Sequence, residues 1–237
     1  ESQAMIIMND FFGNSIFAGV TLSLLAYLLG DMIKKKFKMG FINPLLVSII
    51  VSIIVLIVGS VDYEVYYEGA KYLSYLLTPA TVCLAIPLYE QWEVLKKNYK
   101  AVICGLLAGV LTSVTTVFIL SLVFNLSHEE YVTLLPKSIT TAIGMGVSEE
   151  LGGYVTITVA VIIITGVFGN ILGETVCKLF HIHEPISKGL AFGASAHAIG
   201  TAKAMEIGEI EGAMSGLAIA ISGILTVAIA SVFAQFI

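Results

Sequence analysis

The densest group of reactive side chains follows Pro136, in the stretch LPKSITTAIG. Lys137 supplies an ammonium group, and Ser138, Thr140 and Thr141 supply three hydroxyl groups in the next four residues. Ammonium groups, hydroxyl groups and the free N–H groups at the start of a helix are the donors that bind a small anion such as a carboxylate. The residue types and their spacing therefore predict an anion-binding site.

The surroundings of Lys137 are apolar, which makes its position costly. If Pro136 opens a half-helix within the membrane, its missing N–H costs no hydrogen bond, and the positive end of the helix dipole lies beside Lys137. A lysine at membrane depth costs about 2.5–3.5 kcal/mol, which a bound carboxylate or a nearby glutamate would offset. Alternatively, Lys137 snorkels from a shallow position and the hydroxyls bond to their own helix. We favour binding, because a snorkelling lysine needs no adjacent hydroxyls.

A second candidate segment, GASAHAIGTAK, combines small residues with one imidazole. Its glycines and alanines, Gly200 among them, let two backbones approach closely. His197 lies between Ser195 and Thr201, where it would donate to a substrate carboxylate or carry a proton near neutral pH. The alternative is a histidine that is satisfied within the core, and the sequence leaves both interpretations open.

Glu174, in the stretch GNILGETV, is a third candidate. A carboxylate inside a membrane span suggests proton or ion coupling, a role that Glu174 would share with His197. Because Glu174 lies near the end of its span, the alternative is a side chain that faces the membrane interface.

Enzyme and metal motifs are poorly represented. The sequence contains no HExxH, GxSxG or Walker motif, so active transport would depend on an ion gradient or on ATPases elsewhere. Cys83, Cys104 and Cys177 lie in separate apolar stretches without metal-ligand spacing. We therefore expect no enzymatic activity, no metal and no cofactor.

The composition identifies the setting in which these residues act. The chain has 237 residues, of which 57% are hydrophobic and only 12% are charged, with a mean hydropathy of +0.96. Soluble domains carry about 25% charged residues, so the sequence predicts an all-α integral membrane protein surrounded by lipid. All twelve basic residues are lysines, and they form no basic surface that would bind nucleic acid.

Hydrophobic stretches and loop charges predict a multi-pass protein of the cell membrane with its N-terminus outside. Lysine clusters mark cytoplasmic loops. One cluster follows the first predicted span, at residues 11–30, and another precedes the fourth predicted span, at 101–125. Between these lie a span at 43–59 and one centred on Pro79. Full spans are also predicted at 154–176 and 212–237.

Two segments, residues 131–147 and 189–204, are too short for ordinary spans. They either cross as broken helices, which gives about eight crossings, or re-enter as hairpins, which gives about six. The lysines at 178 and 188 favour a cytoplasmic loop between them and hence the re-entrant version. The sequence leaves both versions open.

Three interrupted segments resemble one another: LLTPATVCLAIP, TLLPKSITTAIG and FGASAHAIG. Ala85, Ala142 and Ala198 recur at a regular spacing, and Pro79 and Pro136 are the predicted helix breaks upstream of the first two. Repeated interrupted helices are typical of secondary transporters. We predict a single domain over residues 1–237, with two N-terminal scaffold spans followed by three repeat-like units of interrupted helix plus span. The scaffold covers residues 11–59, and the units cover 62–125, 126–180 and 185–237.

The stretches LLPKSITTAIGMGVSEELGG and KGLAFGASAHAIGTAKAMEIGEIEGAMSGLAI resemble the LrgB/CidB family of antiholin-like bacterial membrane proteins. That family is related to the plastidal glycolate/glycerate translocators, and the likeness runs from about Phe11 to the C-terminus. At the family's motif positions the chain carries the polar residues already described. It departs from the family at Lys203, where many relatives carry an arginine, and this weakens any expectation of bidentate recognition there.

The resemblance implies two functions. The first, which the polar residues favour, is a secondary transporter or exporter of small monocarboxylates of the glycolate, glycerate, pyruvate or lactate type, with proton coupling as an added hypothesis. The second is an antiholin-like regulator of murein hydrolase activity and cell lysis that acts with a small holin-like partner of the LrgA/CidA type. We expect a homo-oligomer in either case.

Overall fold

The computed structural model describes residues 12–13, 15, 17–37, 44–76, 79, 82–83 and 85–237. Within these residues the regular structure is helical, which confirms the prediction of an all-α membrane protein. The chain forms two compact units, residues 1–83 and 84–237. Parts of the first two predicted spans, and residues 77–78, 80–81 and 84 of the first interrupted segment, lie outside the described residues.

The first unit contains three described helices: α1 (Ala18–Phe37), α2 (Pro44–Gly59) and α3 (Tyr63–Ala70), followed by a 3-10 turn at Lys71–Leu76. Gly30 lets α1 meet α2, because a Cβ there would collide with the backbone of Pro44. Between α1 and α3, the Ser23 hydroxyl and the Tyr66 hydroxyl are hydrogen-bonded at 2.7 Å. Small residues and a polar pair thus hold these helices together.

The second unit contains seven helices within residues 85–237. They are α4 (Ala85–Glu90), α5 (Trp92–Phe124), α6 (His128–Leu134), α7 (Thr141–Glu150), α8 (Val155–Leu179), α9 (Pro185–Ile207) and α10 (Glu209–Phe233), with a final 3-10 turn at Ala234–Phe236. Among the described residues, three segments are long and apolar enough to cross a membrane: Trp92–Phe124, Val155–Leu179 and Glu209–Phe236.

Helices α6 and α7 form a hairpin, which we call hairpin 1 (residues 128–150). The Thr158 hydroxyl, in the first turns of α8, donates to the Thr133 carbonyl at 3.0 Å and bonds the Ser148 hydroxyl at 2.7 Å. A straight helix would separate residues 133 and 148 by about 22 Å at 1.5 Å per residue. Both arms therefore return to the same end of the unit. The turn between them lies beside Ser113, within the long apolar helix α5, and we call this level mid-depth.

Helix α9 is also a hairpin, which we call hairpin 2 (residues 185–207), and its backbone is non-helical at His197. A Cβ on Gly200 would collide with the carbonyl of Phe192, although a straight helix would hold these residues about 12 Å apart. Gly193 and Thr201, on opposite arms, both contact Ser215 of α10. The chain thus folds back on itself at the tip.

The two hairpins enter the unit from opposite ends. Tyr131 and Val147 of hairpin 1 share a core with Ala230, near the end of α10. Leu190 of hairpin 2 shares a different core with Ala213, near the start of α10. The two short segments are therefore re-entrant, and each hairpin is followed by one long helix, α8 or α10, in inverted orientation. That this pattern arose by duplication stays a prediction.

The distribution of lysines distinguishes the two ends of the second unit. The end where hairpin 2 enters, which we call the lysine end, carries every lysine of residues 85–237 except one: Lys96, Lys97, Lys100, Lys178, Lys188 and Lys203. The opposite end carries the acidic residues at 129–130 and 149–150 of hairpin 1. By the positive-inside rule the lysine end faces the cytoplasm, and this orientation stays a prediction.

Candidate functional site

The tip of hairpin 1 is a non-helical turn rather than a simple helix start. Lys137 N–H donates to the Leu134 carbonyl at 3.2 Å, and Ile139 N–H donates to the Pro136 carbonyl at 3.3 Å. Helix α7 begins only at Thr141, with Thr140 as its N-cap residue. Pro136 therefore lies within the break but in the turn after α6, and not in the first turn of the second half-helix as the sequence suggested.

The Lys137 amine is held by two serine hydroxyls. Its Nζ donates to Ser138 Oγ at 2.9 Å and to Ser113 Oγ, on α5, at 3.1 Å. The two hydroxyls lie 3.2 Å apart, so the three groups form a closed triangle. Within the described part of the chain, no carboxylate forms an ion pair with this lysine. Its charge is solvated by hydroxyls rather than neutralised.

A cavity of about 750 Å³ extends from this amine toward the lysine end. It lies between α5, the tip of hairpin 1, α8 and the first arm of hairpin 2. Its polar lining consists of one ammonium group, Lys137, and hydroxyl groups from Thr112, Ser113, Ser138, Thr165, Ser187 and Ser195, and most of the rest is apolar. Because no carboxylate lines it within the part of the chain that the structure describes, the cavity suits an anion better than a cation or a zwitterion.

The predicted site residues near the tips separate into two groups. Lys137, Ser138 and Ser195 line the cavity, although the Ser195 hydroxyl also donates to the Ala191 carbonyl at 2.6 Å. Thr140 and Thr141 are half-buried at the start of α7 and do not line it.

The imidazole of His197 points into the protein. His197 is 4% exposed, and its Nε2–H donates to the Ile162 carbonyl of α8 at 3.0 Å. Thr201 is equally enclosed: its hydroxyl donates to the His197 carbonyl at 3.1 Å and bonds Ser215 Oγ at 2.7 Å. Gly200 is buried where the two arms of hairpin 2 touch. None of these three residues lines the cavity.

Glu174 lies at the lysine end, away from the Lys137 amine. It forms ion pairs with Lys178 at 2.9 Å and with Lys203 of hairpin 2 at 3.5 Å, and Lys203 also pairs with Glu206. Glu174 lines a smaller cavity of about 270 Å³, which shares Cys177, Ile182 and Phe192 with the larger one. Glu174 thus belongs to an ion-pair network between α8 and hairpin 2.

Two further expectations concern Pro79 and metals. Pro79 is exposed, and its neighbours at 77–78 and 80–81 lie outside the described residues, so its role as a helix break stays a prediction. No group of histidine, cysteine and carboxylate side chains within the described ranges is arranged to hold a metal ion.

The sequence profile of the LrgB-like family matches residues 23–236. The chain belongs to the LrgB-like family. The antiholin-like proteins LrgB of Bacillus cereus (strain B4264) and Bacillus anthracis (strain A0248) are each 37% identical to it over 220 residues, which is 92% of this chain and 96% of each relative. No solved structure matches the chain. The family resemblance predicted from the sequence is thereby confirmed.

The site of this LrgB-like protein includes residues that sequence reasoning missed. Ser113 and Thr165 lie on the long helices α5 and α8, in stretches that look like ordinary apolar spans. A single hydroxyl in a span carries no signal by itself, because it can bond to the carbonyl four residues earlier. Only the approach of hairpin 1 to α5 brings Ser113 within reach of Lys137.

Proposed function

We propose that this LrgB-like protein is a secondary transporter or exporter of small monocarboxylates of the glycolate, glycerate, pyruvate or lactate type. The observation that carries the proposal is the Lys137 amine, held by two serine hydroxyls at mid-depth, unpaired with any carboxylate of the described residues and lining a cavity. A charge kept at this depth is costly, and a binding site for an anion explains why it is retained.

The lining of the cavity supports a singly charged acid. A dicarboxylate would leave its second charge in apolar surroundings, because Lys137 is the only ammonium group among the described residues that line the cavity. An amino acid would leave its ammonium group unpaired, because none of the lining residues that the structure describes is a carboxylate. The hydroxyls of Ser113, Ser138 and Thr165 would bond a carboxylate oxygen or a hydroxyl or keto group of the substrate.

The inverted hairpins support transport rather than a static site. Interrupted helices in inverted orientation expose backbone groups within the membrane, and the pseudo-two-fold relation between the two repeats allows an arrangement open to one side to alternate with one open to the other. The cavity extends from Lys137 toward the lysine end, so the anion would have access from that end in this state. Coupling to protons stays a further hypothesis.

The names of the relatives favour a second candidate function. The curated relatives are called antiholin-like proteins, so we also propose a role as a regulator of lysis and murein hydrolase activity, acting with a small holin-like membrane partner. On this account the effect on lysis needs neither Lys137 nor a saturable flux of acid. Homo-oligomerisation is compatible with both candidates.

Uptake by reconstituted liposomes tests the first candidate. We expect saturable uptake of labelled glycolate, glycerate, pyruvate or lactate by the wild type, and a loss of about 100-fold in Lys137→Met, because the apolar isostere cannot bind a carboxylate. Lys96→Met is the matched control, since it removes an exposed lysine that pairs with Glu93 and does not line the cavity. It should transport like the wild type.

Two results separate the candidates. Equal uptake by the wild type and Lys137→Met would remove Lys137 from the mechanism. Unsaturable leakage of all four acids, together with normal control of lysis by Lys137→Met in cells, would favour the regulator and overturn the transporter.

A further inference from the structure

His197 has a backbone conformation that side chains rarely adopt. Its φ is 42° and its ψ is −137°, in the middle of α9. Glycine adopts a positive φ without penalty, whereas a residue with a Cβ is strained there. A non-glycine residue persists in such a conformation only where its surroundings over-determine it, and such positions concentrate at functional sites.

Contacts with helix α8 hold His197 in this strained conformation. Its Nε2–H donates to the Ile162 carbonyl, and its ring lies against Gly166, one helical turn further along α8. A Cβ on Gly166 would lie 2.7 Å from both Cε1 and Nε2 of the ring, which the hydrogen bond to Ile162 holds in place. It would also lie 2.8 Å from Cδ1 of Ile199, but this atom is the end of a flexible side chain that can move aside, so it is the imidazole for which only glycine leaves room. Helix α8 thus has a notch and an acceptor that fit this one side chain.

The tip is held on its other side by a second bond. Thr201 donates to the His197 carbonyl and bonds Ser215 of α10, so hairpin 2 is tied to both long helices. The first arm of the hairpin, just before His197, contributes Ala194 and Ser195 to the cavity wall. The position of the tip therefore sets the position of that wall relative to Lys137.

We propose that His197 is a positioning residue that latches the tip of hairpin 2 to α8, rather than a ligand of the anion or a carrier of protons. The hydrogen bond to Ile162 and the notch at Gly166 hold a strained turn, which would open when the latch is released. The consequence for transport rests on the proposed function, whereas the latch itself does not.

Four variants test the latch in proteoliposomes. His197→Gln retains an N–H donor for the Ile162 carbonyl, and we expect uptake within about threefold of the wild type with the same pH profile. His197→Ala loses the donor, and its uptake should fall by about tenfold. Gly166→Ala should produce the same loss by displacing the ring, whereas Gly146→Ala, whose Cβ would meet nothing within 4 Å, should not.

A double-mutant cycle separates the latch from a general packing defect. Because the displaced ring is absent in His197→Ala, adding Gly166→Ala to that variant should cost little more uptake. Additive losses would overturn the proposal. It would equally be overturned if His197→Gln were as defective as His197→Ala, which would assign a role to the imidazole itself, or if His197→Ala transported normally.

Amide hydrogen exchange keeps the latch testable if no acid is transported. His197→Ala should speed exchange over residues 190–205 and leave residues 131–147 of hairpin 1 unchanged, while His197→Gln should exchange like the wild type. Unchanged exchange over 190–205 in His197→Ala would overturn the latch whatever the outcome for transport. Absence of uptake by the wild type would instead count against the proposed function alone.

Discussion

Hairpin 1 and hairpin 2 both turn at mid-depth, but their tips present different chemistry. Hairpin 1 directs Lys137 to the cavity and supports its amine with two hydroxyls. Hairpin 2 directs His197 into the protein and bonds it to the backbone of α8. The same local device, a helix broken within the membrane, thus exposes a charge in one case and anchors a turn in the other. What a broken helix does depends on which side chain occupies the tip.

The arms of the two hairpins are also joined differently. The arms of hairpin 1 are linked through hydroxyls, since Thr158 bonds Thr133 and Ser148. Hairpin 2 relies on small residues, since Gly193 lies against the Ser215 carbonyl and Gly200 against the Phe192 carbonyl. Close backbone packing suits hairpin 2, whose tip must be positioned tightly. Substitutions at the glycines and at the hydroxyl residues test this difference between the two hairpins.

The largest effect on stability is expected at Gly193. A Cβ there would collide with the backbone carbonyl of Ser215, so Gly193→Ala should lower the free energy of unfolding by about 1–3 kcal/mol. Gly146→Ala in hairpin 1 is the matched control, because both glycines lie within helices and gain the same propensity of about 1 kcal/mol. Thermal unfolding in detergent measures both. Equal behaviour of the two variants would remove the distinction between the hairpins.

A smaller loss is expected from Thr158→Val. This change removes the hydroxyl that links the arms of hairpin 1, and it should cost about 1–2 kcal/mol. Thr156→Val, on an exposed face of the same helix, makes the same chemical change without breaking that link and should be neutral. The same unfolding measurement applies. If both variants were neutral, packing alone would join the arms of hairpin 1.

The smallest effect is expected from Ser113→Ala. Ser138 still holds the Lys137 amine in this variant, so the apparent affinity for the transported acid should fall by only about threefold. Thr116→Val is the control, because the Thr116 hydroxyl donates to the Thr112 carbonyl of its own helix. Uptake measured across a range of acid concentrations gives both values. An unchanged affinity in Ser113→Ala would leave Ser138 as the sole support of the amine.

The interruptions themselves were readable in the sequence. Proline, lysine and hydroxyl groups near residue 137, and a histidine among glycines and alanines near 197, do not suit continuous spans, and both segments are broken. Thr141 and His197, which directly precede the recurring Ala142 and Ala198, both lie at the tips, where the second arms begin. Local composition carries this information because a helix break depends mainly on neighbouring residues.

Side-chain partners were not readable in the same way. From the sequence pattern we predict that His197 and Thr201 share one site with Lys137. In the structure, the side chain of His197 bonds to α8 and that of Thr201 bonds to α10 instead. The pattern also missed Ser113, which lies 24 residues from Lys137 along the chain. Direction and long-range approach depend on how helices pack, and single polar residues within apolar spans do not encode this.

The sequence by itself determined that the chain is an all-α membrane protein of the LrgB-like family, that its helices break near residues 137 and 197, and that an unusual amine lies within an apolar segment. These features follow from composition and local pattern. Only the tertiary structure decided that both segments re-enter, from opposite ends, and that the amine meets Ser113 while the imidazole meets Ile162. The reason is physical: a broken helix can continue or fold back with the same sequence, and contacts with α5, α8 and α10 select between the two.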